Sequence, residues 1–132
     1  MILLDTNILM YSAGADHPNK APSLKLLRRV AAGELEANID TEVLQEILHR
    51  YRSLGRWNDG RKVFELARKL FPEVLAVTGE VMDQAKRLAD THPNISARDA
   101  VHAAVVAVHK LDGICTFDAD FARIAGCKRI AP

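Results

Sequence analysis

The chain has only two cysteines and no long apolar run. Cys115 and Cys127 lie in short apolar segments without CxxC spacing, which argues against a zinc site or a redox pair and predicts two buried free thiols. No stretch approaches the roughly 18 apolar residues of a membrane span. The N-terminus carries no basic region ahead of an apolar signal-peptide core, so we expect a cytoplasmic protein.

The chain also lacks an excess of charge of either sign. It has 18 basic and 17 acidic residues, which gives a formal net charge of +1. Nucleic-acid-binding proteins often carry a global basic excess, and this sequence has none. The net charge nevertheless conceals a group of basic residues in the first half, for which a solvated surface is the default interpretation: Lys25, Arg28, Arg29, His49, Arg50, Arg52, Arg56, Arg61 and Lys62.

What the chain does contain is an ordinary globular composition with alternating strand and helix patterns. A hydrophobic share of 48% in 132 residues is enough for one domain, residues 1–132, with its own core. Short apolar segments predict strands at residues 2–4, 35–39, 74–77, 114–117 and 128–130. Helical spacing predicts helices at residues 8–11, 22–31, 41–53, 59–71, 80–90 and 96–111, with a helical turn at 121–125. Thr6 or Asn7 is expected to cap the first of these helices, and Asp40 or Thr41 the third. This alternation indicates an α/β fold with a parallel sheet.

Two of these strands end on an acid. Asp5 follows the first apolar run and Asp118 follows the run at residues 114–117, with Asp120 two residues further on. If both strands belong to one parallel sheet, Asp5 and Asp118 emerge at the same edge, where open α/β sheets bind their ligands. Each acid alone is explained about equally well as a turn residue or a helix cap.

A third acid opens the most apolar helix of the chain. Ser96 to Asp99 resembles a capping box, in which the acid occupies a favourable first turn. The helix behind it is apolar almost all round, so the Asp99 carboxylate is expected to be partly dehydrated and to need a positive partner. His102, one turn further, is better explained as a packed or hydrogen-bonded residue than as a catalytic one.

Glu46 has no local feature that marks it as functional. It flanks the apolar stripe of its helix beside Arg50, and its composition alone indicates a solvated or salt-bridged side chain.

Four sequence blocks together resemble a known family. They are Leu3-Leu4-Asp5-Thr6-Asn7, Leu44-Gln45-Glu46-Ile47, the stretch from Ala97 to Ala104 that contains Asp99 and His102, and Thr116-Phe117-Asp118-Ala119-Asp120-Phe121. In this order, and across essentially the whole chain, they resemble a PIN-domain nuclease, most closely the VapC-like ribonuclease toxins of type II toxin–antitoxin modules. The resemblance implies a three-layer α/β/α PIN-like domain with a central parallel sheet of four to five strands.

The resemblance also implies a catalytic site for Mg²⁺ or Mn²⁺ built from Asp5, Glu46, Asp99 and Asp118. Our hypothesis makes Asp5 and Asp99 the principal metal ligands, while Asp118 and Glu46 complete the coordination or orient the attacking water. Supporting roles are expected for Thr6, Asn7 and Thr116, which would hold the carboxylates by hydrogen bonds, and for Asp120.

The implied activity is endoribonuclease hydrolysis of RNA phosphodiester bonds, with a small cognate antitoxin and a second copy of the chain as partners. Tyr11, Trp57 and Phe64 are candidate apolar contacts for a partner, although each is better explained as core. One alternative is a PIN-domain RNA-processing or RNA-binding module outside a toxin system. Another is a receiver-like phosphoacceptor domain, which normally needs an acidic pair after the first strand, whereas here Asp5 precedes Thr6 and Asn7.

Overall fold

The computed structural model describes residues 1–132 and contains four short strands and six α-helices. The strands are β1 (Ile2–Leu4), β2 (Ala37–Asn38), β3 (Ile114–Cys115) and β4 (Arg129–Ile130). The helices are α1 (Thr6–Ala13), α2 (Lys20–Ala31), α3 (Thr41–Ser53), α4 (Trp57–Leu70), α5 (Gly79–Thr91) and α6 (Ala97–Val108). A 3₁₀ helix, Ala119–Arg123, follows β3.

The sheet has the order β2-β1-β3-β4, and all its neighbouring strands are parallel. In the register of the central pair, Leu3 lies opposite Ile114. Strand β1 therefore occupies an interior position with a neighbour on each side. Leu3 and Leu4 are completely buried, as expected for a strand that is covered on both faces.

Side chains alternate across the sheet and build one core on each face. Ile2, Leu4 and Cys115 pack with residues of α1 to α4. Leu3 and Ile114 point the opposite way and pack with residues of α5 and α6. Helices thus cover both faces, and the predicted three-layer α/β/α architecture is confirmed.

The strand predicted at residues 74–77 is reduced to a single bridge, so the prediction of a fifth strand is wrong. Leu75 pairs with Asp40 in parallel, and its backbone N–H donates to the carbonyl of Ile39 at 2.9 Å. The ladder does not continue because α3 begins at Thr41, whose hydroxyl accepts the backbone N–H of Val77 at 3.1 Å. The sheet has four strands as a result, within the predicted range.

Helix starts differ from the predicted ones by a few residues. Asp5 caps α1 with its side chain, whereas the sequence pattern favoured Thr6 or Asn7. Helix α2 begins at Lys20, ahead of Pro22, which occupies the first turn, where no intrahelical bond needs its missing N–H. Helix α4 begins at Trp57, two residues before Asp59.

Helix α6 is buried on most sides, as predicted. Ala100 to Val106 are all buried, and α6 contacts α3, α5, β1 and β3. The hydroxyl of Ser96 caps its first turn by accepting the backbone N–H of Asp99 at 3.1 Å. Because this helix is anchored in the core, its first turn is held at a fixed position beside the carboxyl end of the sheet.

The two cysteines and the three candidate partner contacts differ in burial. Cys115 and Cys127 are buried free thiols, as predicted, and burial raises the pKa of each to about 11. Tyr11, Trp57 and Phe64 are each only partly buried, and the guanidinium of Arg52 lies 5.0 Å from the centre of the Trp57 ring. None of the helices combines the length and apolarity that crossing a bilayer requires.

Candidate active site

Three neighbouring strands lead into aspartates at one edge of the sheet. Asp5 directly follows β1, Asp40 follows β2 after one residue, and Asp118 comes shortly after β3. Since β1 lies between β2 and β3, Asp5 occupies the middle of this row. The sequence pattern predicted the pairing of Asp5 with Asp118 but indicated only a helix cap for Asp40. The carboxyl edge of a parallel sheet is the usual ligand crevice of open α/β folds.

The Asp5 carboxylate is held by three hydrogen-bond donors. Its Oδ1 accepts the backbone N–H of Thr6 at 2.7 Å, and its Oδ2 accepts the Thr116 hydroxyl at 2.6 Å and the Asn7 side-chain amide at 3.1 Å. Thr6 contributes only its backbone, because its buried hydroxyl has no hydrogen-bond partner. Burial raises the pKa of Asp5, and the positive charge of His102 and the hydrogen bond from Thr116 counteract part of this rise.

Asp99 projects from the first turn of α6 near two other acids. Burial raises its pKa, and the neighbouring charges of Asp118 and Asp5 raise it further. These two contributions indicate that the carboxylates of Asp5, Asp99 and Asp118 lie close enough to repel one another. The capping interaction with Ser96 and proximity to the acid cluster therefore coexist at Asp99.

Glu46 reaches the same region from α3. Its Oε1 lies 3.2 Å from Nη1 of Arg98, and its side chain is only 15% exposed. Glu46 was expected from its local pattern to be solvated or paired near Arg50. The structure pairs it with a residue of α6 instead, because α3 and α6 contact each other beside the end of β1.

Asp118 and Asp120 occupy different environments. Asp118 caps the 3₁₀ helix through its Oδ1, which accepts the backbone N–H of Asp120 at 2.8 Å, and its own N–H donates to the Thr116 hydroxyl at 3.0 Å. The Asp120 side chain is 67% exposed and lies 3.8 Å from Arg123. It borders a separate small cavity, which it shares with Asp99 and His92, so the structure does not bring Asp120 into the main acidic cleft.

The four acids Asp5, Glu46, Asp99 and Asp118 line one cleft of about 650 Å³. Cationic side chains line its other parts: Arg50, Arg56, Lys62 and Arg98. Within this set, Arg56 pairs with Asp59 and Arg98 pairs with Glu46, whereas Arg50 and Lys62 have no ion-pair partner. The cleft thus combines an acidic floor with a basic border.

A buried histidine–aspartate pair lies beneath this floor, and the sequence did not reveal it as part of the site. Nδ1 of His102 donates to Oδ2 of Asp40 at 2.7 Å, and the exposed fractions of the two side chains are 1% and 0%. Burial alone would lower the pKa of His102, but the charge and hydrogen bond of Asp40, with Asp5 and Glu46, raise it to about 9. The one available signal was that Asp40, like Asp5, follows a strand.

The closest group of potential metal ligands contains His102. A carboxylate oxygen of Asp5, one of Glu46 and a ring nitrogen of His102 all lie within 4.8 Å of one another. Asp99 and Asp118 line the same cleft but do not belong to this close group. Carboxylate oxygens of this kind are the donors that Mg²⁺ and Mn²⁺ favour.

Comparison with known proteins identifies the family. The family model described as PIN domain matches residues 2–126. A VapC ribonuclease of Mycobacterium bovis and ribonuclease VapC13 of Mycobacterium tuberculosis are each 37% identical over 131 residues, which is 99% of this chain and all of each relative. The chain belongs to the VapC ribonucleases of the PIN-domain family. The resemblance inferred from the four sequence blocks is therefore confirmed.

Solved structures share the fold of this VapC-family chain. VapBC2 of Rickettsia felis, bound to promoter DNA, has a TM-score of 0.77 at 17% identity and covers 100% of this chain and 99% of that one. VapC20 of M. tuberculosis, described as a sarcin–ricin loop cleaving toxin, has a TM-score of 0.77 at 20% identity with both chains fully covered. FitAcB of Neisseria gonorrhoeae reaches 0.75 at 22%, covering 100% and 98%. The three TM-scores show a shared fold.

Membership in the VapC family also decides between the functional classes considered above. A PIN nuclease domain contradicts the receiver-like alternative, whose acidic pair after the first strand is absent here. The protein is an enzyme of a nuclease family, and its acidic cleft is the place where the chemistry of such an enzyme would occur.

Proposed function

We propose that this chain is a divalent-metal-dependent endoribonuclease that hydrolyses RNA phosphodiester bonds, and that it is the toxin of a type II toxin–antitoxin pair. The proposal is supported mainly by one observation. In a chain of the VapC ribonuclease family, a single cleft is lined by four acids: Asp5, Glu46, Asp99 and Asp118. A single PIN domain, residues 1–132, would carry the whole activity.

The donor set of the cleft fits Mg²⁺ or Mn²⁺. Two carboxylates about 4 Å apart repel each other by about 4 kcal/mol at an effective dielectric constant of 20, so an acidic group of this kind attracts cations. Burial raises the pKa of Asp5 and of Asp99, and neighbouring carboxylates raise each of them further, so a cation that entered the cleft would relieve an unfavourable charge. The cleft has no cysteine, which argues against a structural zinc site.

Each acid has a separate task in this proposal. Asp5, Asp99 and Asp118 would hold the metal, and Glu46 would complete the coordination or orient the attacking water. A bound divalent ion lowers the pKa of a water ligand and stabilises the negative charge on the leaving oxygen. Asn7 and Thr116 prevent the Asp5 carboxylate from rotating, because both donate to its Oδ2.

The basic border of the cleft would bind the RNA backbone. Arg50 and Lys62 have no ion-pair partner, so their charges are available for phosphate groups on either side of the scissile bond. The near-zero net charge of the chain is therefore compatible with RNA binding, since four cationic side chains line this one cleft.

The partners of the protein follow from its relatives. The R. felis neighbour is a VapBC complex and a further neighbour from Klebsiella pneumoniae is described as a toxin–antitoxin complex. These neighbours support our proposal of a small cognate antitoxin. A homodimer in solution and a cytoplasmic location are further proposals, which rest on the family resemblance alone. Light scattering of the purified chain tests the dimer, and affinity purification from the native host tests the antitoxin.

The enzymatic part is tested by cleavage of a mixed cellular RNA sample. We expect cleavage with Mg²⁺ or Mn²⁺, none with EDTA, and recovery when the metal is restored. Asp99→Asn should abolish cleavage, whereas Asp83→Asn, which changes an exposed acid of α5, should not. Cleavage that persists in EDTA, or that Asp99→Asn leaves unchanged, would reject this assignment.

The toxin part needs a different experiment, because the alternative is an RNA-processing module with the same fold and chemistry. Expression of the chain should arrest growth, and co-expression of the neighbouring gene's product should restore it. Growth that continues normally while the purified protein still cleaves RNA would favour the RNA-processing module.

A further inference from the structure

One ring nitrogen of His102 is buried without a partner. The side chain is 1% exposed, and its Nε2 has no hydrogen bond. An unsatisfied polar atom in the interior costs on the order of 1–3 kcal/mol, so its persistence calls for a physical reason. The nearest groups with complementary chemistry are the Asp5 and Glu46 carboxylates, whose oxygens lie within 4.8 Å of a ring nitrogen of His102.

Asp40 determines which nitrogen of His102 is available. An ionised carboxylate can only accept, so the 2.7 Å contact with Asp40 Oδ2 places a hydrogen on Nδ1. The other oxygen of Asp40 accepts the backbone N–H of Val43 at 2.9 Å, which fixes the orientation of the carboxylate. In metalloproteins a carboxylate commonly orients a histidine in this way and leaves the lone pair of the second nitrogen for a metal.

We propose that Nε2 of His102 is a ligand of the divalent metal, together with Asp5 and Glu46, and that Asp40 is the residue that positions it. This inference rests on the proposed metal dependence and adds a nitrogen donor to a site otherwise described by carboxylates alone. The proposal explains two buried groups. The metal would satisfy Nε2 of His102, and the need to orient the imidazole would account for the buried Asp40 carboxylate.

A proton competes with the metal for the same nitrogen. Nδ1 is engaged with Asp40, so any hydrogen that stands in the way of the metal would be the one on Nε2. For Nε2 to act as a ligand, this hydrogen would have to leave to the solvent as a proton, which would free the lone pair. The bound cation would then supply positive charge beside Asp5 and Glu46.

A nitrogen ligand changes the metal preference of the site. Imidazole binds first-row transition ions in preference to Mg²⁺, whereas carboxylates bind both kinds of ion. The proposal therefore predicts that His102 contributes more to the affinity for Mn²⁺ than to the affinity for Mg²⁺.

The test is pulsed electron paramagnetic resonance of the Mn²⁺ complex, which detects ¹⁴N nuclei bonded to the metal. The wild-type complex should show a directly coordinated ¹⁴N. His102→Asn keeps a side-chain N–H in the place of Nδ1 for Asp40 but removes Nε2, so the signal should disappear, with Mn²⁺ affinity about tenfold weaker and Mg²⁺ affinity less affected. His49→Asn, which changes an exposed histidine of α3, should leave both unchanged.

Each outcome has a distinct meaning. A wild-type Mn²⁺ complex without coupled nitrogen, or a nitrogen signal that survives His102→Asn, overturns the inference and leaves the metal-dependent nuclease intact. A wild-type chain that binds no Mn²⁺ at all overturns the metal-dependent function as well. The wild-type spectrum decides even if His102→Asn fails to fold, which circular dichroism of the metal-free variant would reveal.

Discussion

The hydroxyl of Thr116 donates to Oδ2 of Asp5 at 2.6 Å, although the two residues lie 111 positions apart in the chain. The contact exists because β1 and β3 are neighbouring parallel strands and both residues follow directly after their strand. The same hydroxyl accepts the backbone N–H of Asp118 at 3.0 Å. A single side chain thus connects two acids of the cleft.

Thr116→Val should weaken the site without destroying the fold. It removes the donor to Asp5 and the acceptor for Asp118, and the resulting loss of unfolding free energy should be about 1–3 kcal/mol. Metal affinity should fall by about tenfold, because the Asp5 carboxylate loses one of its three donors. Isothermal titration with Mn²⁺ measures the change. Thr116→Ser keeps the hydroxyl and should behave like the wild type, so equal losses in both variants would contradict the explanation.

The Arg98–Glu46 ion pair should compete with metal binding. Arg98→Ala frees Glu46 and removes a positive charge from the cleft, so metal affinity should rise by about two- to fivefold, the range that a partly exposed pair allows. Arg98→Lys should have a smaller effect because it keeps the charge. A fall in metal affinity for Arg98→Ala would show that Arg98 positions Glu46 rather than competing for it.

Much of this arrangement could be predicted from the sequence, and the failures have physical causes. Asp5 and Asp118 were identified because each follows an apolar run. The apolar character of the helix that begins near Asp99 indicated that the first turn of this helix is anchored in the core. Glu46 entered the predicted site only through the family resemblance, since its surroundings are set by α6, more than 50 residues away.

The pair of Asp40 and His102 was missed for a similar reason. The two residues lie 62 positions apart, nothing in the intervening sequence indicates their contact, and the capping role of Asp40 was a sufficient local explanation. Contacts between distant elements depend on the order of the strands, and local spacing does not determine that order.

The buried pair should make the stability of the metal-free protein depend on pH. The folded pKa of His102, about 9, lies above its ordinary value of 6.5, so protonation stabilises the fold. This contribution is complete below pH 6.5 and is lost as the pH rises through about 9, a decrease on the order of 3 kcal/mol. Urea denaturation in EDTA at pH 6, 7, 8 and 9 measures it.

Two variants separate this effect from other titrations in the same range. Asp40→Asn removes the largest of the charges that raise the pKa of His102, so the loss of stability from pH 6.5 to 9 should be clearly smaller than in the wild type. Asp112→Asn removes the partner that raises the pKa of the N-terminal amine and should keep the wild-type slope. An unchanged slope in Asp40→Asn would show that another group is responsible.

The cations at the border of the cleft should affect RNA binding more than catalysis. Replacing both Arg50 and Lys62 by Ala should raise KM for RNA and reduce its dependence on salt, because fewer phosphate contacts release counterions. The value of kcat should change little. Lys86→Ala, which changes a cation of α5 that pairs with Asp90, is the matched control. A loss confined to kcat would place these residues in the chemical step.

The role of Asp5 in metal-dependent cleavage is tested most directly by the single-turnover rate of RNA cleavage at saturating Mn²⁺ for the wild type and Asp5→Asn. The substitution keeps the size of the side chain and removes the central charge of the site, so we expect the cleavage rate to fall at least about a hundredfold, with the fold and RNA affinity retained. An Asp5→Asn protein that is correctly folded and cleaves RNA at the wild-type rate would contradict it.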